Sequence, residues 1–329
     1  MPSSSRRTAY LLLLNTVFLW GIAPLAVKFL SKYYSVWTQN GFRFACAAAM
    51  LLAWHFVQGY RPFRNKIQNR FPWTQAFCYD PPQLTVSLWR KLILIGLINV
   101  ITQSLFAGIY YFLYPAIGML ISSVNLIFAV LFSFVLLRDE RASIRSFKFL
   151  FGSAFAMCGV ITVVFLRDPH LLEHLDVTEA RFWIGVTLAL LYAAGQAFYL
   201  ITIRSVVVNM HPLASATYAI SLTAAGLLVL LVINGGIGEL LHQPFWLIPF
   251  MALTALLFIV LAHGTVFAAL RQLNASVSSA TMQLTPAVTC LFSALVYGDV
   301  LTIPQMFGGI AVLFGAWLAS QSQKTLIKK

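Results

Sequence analysis

Acidic residues are scarce: nine Asp and Glu stand against 22 Lys and Arg in 329 residues, and only 9% of the chain is charged. A soluble domain carries about a quarter charged residues, so most of this surface does not face water. No GxSxG, P-loop or HExxH pattern occurs, which removes the common hydrolase, nucleotide and zinc-protease chemistries. The four cysteines, Cys46, Cys78, Cys158 and Cys290, show no CxxC spacing. Neither a disulfide framework nor a zinc site is expected. His170 and His174 have helical spacing but lie in an acidic loop without further ligands, so no metal and no cofactor is expected. The basic excess comes in short clusters between apolar runs, which argues against nucleic acid as a partner and for membrane topology.

What the chain has in quantity is apolar sequence, 60% hydrophobic by count with a mean hydropathy of +0.83. Its runs match the roughly twenty residues that cross hydrocarbon. They fall at 9–29, 36–58, 92–113, 115–137, 147–166, 182–203, 212–233, 244–270, 275–297 and 303–320. Spans this apolar satisfy their backbone internally as helices, and barrel-type alternation is absent. The first run, although it follows Arg6 and Arg7, is too long for a signal core and lacks a small-x-small cleavage site, so it is read as a span. The expected fold is an all-α integral membrane protein of about ten transmembrane helices.

Alternate loops divide Lys and Arg unevenly. With the amino terminus in the cytoplasm, the outer side keeps only Lys32, Arg167 and Arg181. That asymmetry predicts both termini inside. The longest loop, 59–91, holds Pro62, Pro72, Pro81 and Pro82 and is expected to be irregular and cytoplasmic.

The halves are related. Ile109–Asp139 lies over Ala269–Asp299 without a gap, pairing Leu131-Phe132-Ser133 with Leu291-Phe292-Ser293. Gly152 and Gly159 match Gly308 and Gly315 in the spans that follow, a spacing that suits close helix packing. Five spans per half is an odd number, so the second repeat must cross upside down. The expected organisation is a first repeat over 1–166, an outer connection over 167–181, a second repeat over 182–320 and a basic tail over 321–329.

At these residues the chain resembles the ten-span, two-repeat EamA branch of the drug/metabolite transporter superfamily. The resemblance rests on Trp20-Gly21 with Lys28, on Arg43-Phe44, and on Ala275–Gly315 with Pro286, Gly298-Asp299, Leu301-Thr302 and Gly308 in order. Asp299 stands where the family more often has Glu, and Leu126 takes the place that corresponds to Pro286. The resemblance implies export or exchange of amino acids and similar metabolites through a cavity between the halves, in a bacterial inner membrane. A homodimer is possible within it.

Polar residues amid apolar spans are the candidate site. Trp20, Asn99, Gln103, Asn125, Tyr192, Gln196, Tyr199, His263, Gln283 and Thr285 are costly in hydrocarbon unless they face protein or water. Each alone is readable as interhelical glue; their recurrence in both halves favours a solute site. Pro24 and Pro286 each leave a carbonyl unpaired four residues earlier and are candidates for helix breaks, with a packed kink as the plain alternative. Arg43 is the only charge well inside a span. It serves either a substrate carboxylate or helix-end carbonyls. A membrane-embedded enzyme and a receptor or scaffold are the alternatives, and neither accounts for an inverted repeat with polar residues in both halves.

Overall fold

The computed structural model describes residues 3–60, 79, 82, 84–136, 147–166, 179–207, 209–272 and 281–321. Most of the 59–91 loop, most of the 167–181 connection with His170 and His174, and the tail from 322 lie outside the described residues. Every regular element among the described residues is helical. The first repeat contains α1 (Ser3–Leu30), α2 (Val36–Gly59), α3 (Val86–Phe112), α4 (Pro115–Ser122), α5 (Asn125–Leu136) and α6 (Phe147–Phe165). The second contains α7 (Glu179–Val207), α8 (Pro212–Ile233), the short α9 (Gly236–His242), α10 (Leu247–Ala255), a π-helix (Leu256–Leu261), α11 (Ala262–Gln272), α12 (Thr285–Tyr297) and α13 (Ile303–Gln321).

Local chemistry sets several ends. Ser35 and Thr85 cap α2 and α3 by accepting from the amides of Thr38 and Leu88, which supplies an acceptor for otherwise orphaned N–H groups. α3 therefore starts at Val86, earlier than the hydropathy expectation of 92. Pro115 and Pro212 open α4 and α8 at a position where the missing amide costs nothing.

Two expected spans are not single helices. The run 115–137 breaks at Ser123-Val124 between α4 and α5, and the run 275–297 breaks at Gln283-Leu284 before α12. These breaks are equivalent in the register that pairs Ile109 with Ala269, since 283 − 123 and 269 − 109 are both 160. In the second repeat Pro286 sits in the first turn of α12. The first repeat has Leu126 there and breaks nonetheless; beside the break Ser122 and Ser123 turn their hydroxyls back onto the carbonyls of Gly118 and Met119 at 2.7 and 2.9 Å. Pro24 behaves otherwise. It lies buried inside one continuous helix, so no break occurs there, because one lost ladder bond does not end a helix that packs on both sides. Thr289 donates to the nearby Gly21 carbonyl at 2.8 Å from the opposite repeat.

Helix pairings display the inverted repeat directly. Equivalent helices meet each other: α2 packs on α8 and α6 on α13. The remaining pairs come in matched sets, with α3 on α7 answering α11 on α1, and α5 on α7 answering α12 on α1. Small residues bring α6 and α13 into backbone contact. A Cβ at Gly159 would stand 2.5 Å from the Gly308 carbonyl oxygen, and one at Gly315 would stand 2.5 Å from that of Gly152.

Tyr79, the buried described residue of the long loop, is seated between the repeats. Its ring stacks on His211 at 4.9 Å and its hydroxyl meets His55 Nδ1 at 2.9 Å. Tyr218 of α8 closes on the far nitrogen of His55 at 3.4 Å.

Candidate functional site

A cavity of about 60 Å3 lies between the repeats. α1 contributes Trp20 and Ala23, α2 contributes Arg43 and Phe44, and α3 contributes Gln103 and Phe106. Met119 comes from α4, Tyr192 and Gln196 from α7, Phe258 and Ile259 from the π-helix, and His263 from α11. Two of the polar pairs are related by the repeat. Gln103 and His263 share the offset of 160 (263 − 103), and Trp20 and Gln196 share the offset of 176 that separates the starts of α2 and α8 (196 − 20, 212 − 36). The cavity thus straddles the internal two-fold.

Arg43 breaks that symmetry. Its equivalent at the same offset, 43 + 176, is Ala219. Arg43 is 4% exposed, and among the described residues the one hydrogen bond of its guanidinium is from Nε to Thr254 Oγ1 at 3.1 Å. Thr254 is fixed in turn by its own bond to the Met251 carbonyl at 2.8 Å. The planar fork keeps its terminal nitrogens for whatever enters.

The other polar groups are set as acceptors. His263 Nδ1 donates to the Ile259 carbonyl at 2.9 Å; a carbonyl can only accept, so the neutral ring leaves Nε2 as an acceptor. Trp20 meets the same ring edge-on at 5.3 Å and donates its indole N–H to the Phe258 carbonyl at 3.2 Å. That carbonyl belongs to the π-helix, whose i→i+5 pattern displaces the ladder and leaves such acceptors for side chains. Gln196 Oε1 is buried and has no donor among the described residues. Gln103 is held from behind, its Nε2 donating to Asn99 Oδ1 at 3.2 Å and its main-chain carbonyl accepting from Asn40 Nδ2 at 2.8 Å.

Of the residues singled out in the sequence, the fold brings Trp20, Arg43, Gln103, Tyr192, Gln196 and His263 to the cavity wall. Asn99 stands one step behind, donating to Thr223 Oγ1 at 3.1 Å. Tyr199 packs in the apolar core with Ile203 and Phe267. Asn125 is half-buried at the first residue of α5, away from the wall. Gln283 and Thr285 are buried at the broken ninth span and do not line the cavity; nor do Pro24 and Pro286. Sequence reasoning missed Ala23, Phe44, Phe106, Met119, Phe258 and Ile259. Phe44 and Phe106 sit one and three positions from chosen polar residues, and that spacing was the available signal. Nothing in the sequence marks the π-helix.

A polar cavity on the internal two-fold of an all-helical membrane protein is the architecture of a solute carrier. The chain belongs to the EamA-like transporter family, whose model matches residues 7–165 and 183–321. That is a transporter family of the drug/metabolite type for small solutes, built of two repeats in a membrane. No curated protein matches the sequence. A solved crystal structure, described only as that of a protein, superposes over 97% of this chain and 99% of its own with a TM-score of 0.60 at 15% identity. At that identity the likeness speaks for the fold alone.

Proposed function

We propose that the protein carries amino acids and similar zwitterionic metabolites, as an exporter or facilitator, by alternating access of this cavity to the two faces of a bacterial inner membrane. The observation that carries the reading is the pairing of one under-used guanidinium with a wall of acceptors. Arg43 suits a carboxylate. His263 Nε2 and Gln196 Oε1 suit an ammonium, and Phe44, Phe106 and Tyr192 suit an apolar or aromatic side chain. No wall residue offers a counter-carboxylate, so dications should be rejected. A volume of about 60 Å3 holds about two waters. The form described is contracted, and the repeats 1–166 and 182–320 must rock apart to admit a solute.

The orientation follows the Lys and Arg asymmetry, with both termini cytoplasmic; a homodimer is compatible with this reading. The test is flux of purified protein in liposomes against a panel of amino acids, their amidated carboxyl derivatives and organic dications. Amino acids should move, and amidation should cut transport at least tenfold. Equal flux of amidated and free acids would overturn the assignment of Arg43, and a preference for dications would overturn the substrate class.

A further inference from the structure

Asp299 is placed by the sequence at a span end, yet it is only 5% exposed. Gly298 ends α12 in the left-handed region, at φ 65°, where a glycine carries no Cβ penalty, and this turns the next residue back over the helix. The Asp299 carboxylate oxygen Oδ2 then accepts from the Ser293 hydroxyl at 2.8 Å and from the Ala116 amide at 3.1 Å. Ala116 lies in the first turn of α4, in the other repeat. Tyr114, at the cap position of α4, makes no side-chain capping bond. The Asp299 side chain of the second repeat therefore caps a helix of the first, through an oxygen that accepts in either protonation state.

The same seam has two more bonds between repeats. Tyr297 donates to the Leu25 carbonyl and Thr289 to that of Gly21, both at 2.8 Å. α4 also carries Met119 to the cavity wall, so the seam and the cavity share an element.

We propose that Asp299 is a positioning residue that ties the repeats together at the outer seam and makes opening of that seam depend on its protonation. This rests on the carrier reading. The groups that face it are Lys28 from α1, whose ammonium stands 4.7 Å above the Tyr114 ring, Tyr114 itself before α4, and Cys290 from α12. Burial pushes the Asp299 carboxyl above its ordinary value, against the opposing pull of the Ser293 hydroxyl, the Ala116 amide and Lys28. In an opened seam water reaches the carboxylate, and its value returns toward the ordinary one. The closed form then holds the proton more tightly, so acid on that face favours closure and rising pH favours opening. The dependence begins at the ordinary carboxylate range and ends at the raised value.

The experiment is a distance measurement between spin labels at Lys32→Cys and Val300→Cys, two outer positions on opposite repeats. It uses the full chain with its native cysteines replaced, after that background is shown to be folded. As pH rises from the ordinary carboxylate range the wild-type seam should pass from one short population to a mixture with a longer one. Asp299→Asn should abolish the response and Asp299→Glu should keep it. Ser293→Ala leaves the charge in place and removes a bond that held the value down, so its midpoint should move up. A wild-type distribution indifferent to pH, an Asn variant that responds like wild type, or a Ser293→Ala midpoint that stays put would each overturn the proposal. Liposome flux of the same proteins is scored separately: loss of all flux with the distance response intact would count against the carrier reading, not against the seam.

Discussion

Arg43 is held by Thr254 through a single nitrogen, so replacing it should be felt by the solute more than by the fold. A hydrogen-bonded contact to a charged group is worth about 1.5–3 kcal/mol, and Arg43→Gln should weaken amino-acid transport by roughly ten- to a hundredfold while thermal unfolding in detergent shifts little; equilibrium binding and a melt on the same sample check both. Asn99→Ala should act through Gln103. Removing the Asn99 amide leaves Gln103 Nε2 and Thr223 short of a partner, at a cost of about 1–3 kcal/mol, and apparent affinity should fall several-fold with the maximal rate largely kept. At this scale the sequence carried a good deal, because charge and amides inside apolar runs are conspicuous. It could not say that Thr254, 211 positions away, would hold Arg43, or that Tyr199 would face the core and Tyr192 the cavity. Both tyrosines sit on one helix, and only packing separates them.

Among the elements, α6 and α13 depend most on what is missing from their side chains. Gly159→Val would drive a Cβ into the Gly308 backbone, where no flexible atom can yield, and should destabilise by about 1–3 kcal/mol or more, read as a lower melting temperature. The glycine spacing made this contact legible beforehand. The broken fourth span was hidden for the opposite reason: Leu126 replaces the proline that would have advertised it, and the hydroxyls of Ser122 and Ser123 beside the break are a weaker signal. The π-helix was equally hidden, since Leu256–Leu261 is uniformly apolar and its register is set by tertiary partners such as Trp20. Tyr79→Ala tests another contact that pattern reading passes over. It should remove the contacts of position 79 with the His55 and His211 rings and lower the melting temperature while binding at the cavity is retained.

For the molecule as a whole, topology is the first thing to measure. Reporter fusions after residue 75 and at the carboxyl terminus should report cytoplasm, and one near residue 173 the outer side; a terminus found outside would remove the proposed orientation. The pairing of equivalent helices was implicit in the odd number of spans per half, whereas the position of the cavity on the axis needed the three-dimensional register. Gln103 opposite His263 and Trp20 opposite Gln196 give the cavity wall a near two-fold arrangement, but Arg43 has only Ala219 as its counterpart. On the proposed reading, the carboxylate of a zwitterionic solute is therefore held from the first repeat and its ammonium from the second, which fixes its orientation. In the proposed alternating-access cycle it keeps the same heading in space when the repeats rock, so a molecule that arrives head first from one side leaves head first on the other. Inward and outward journeys then differ in which end is desolvated last, and the two directions need not share a rate even where they share an equilibrium.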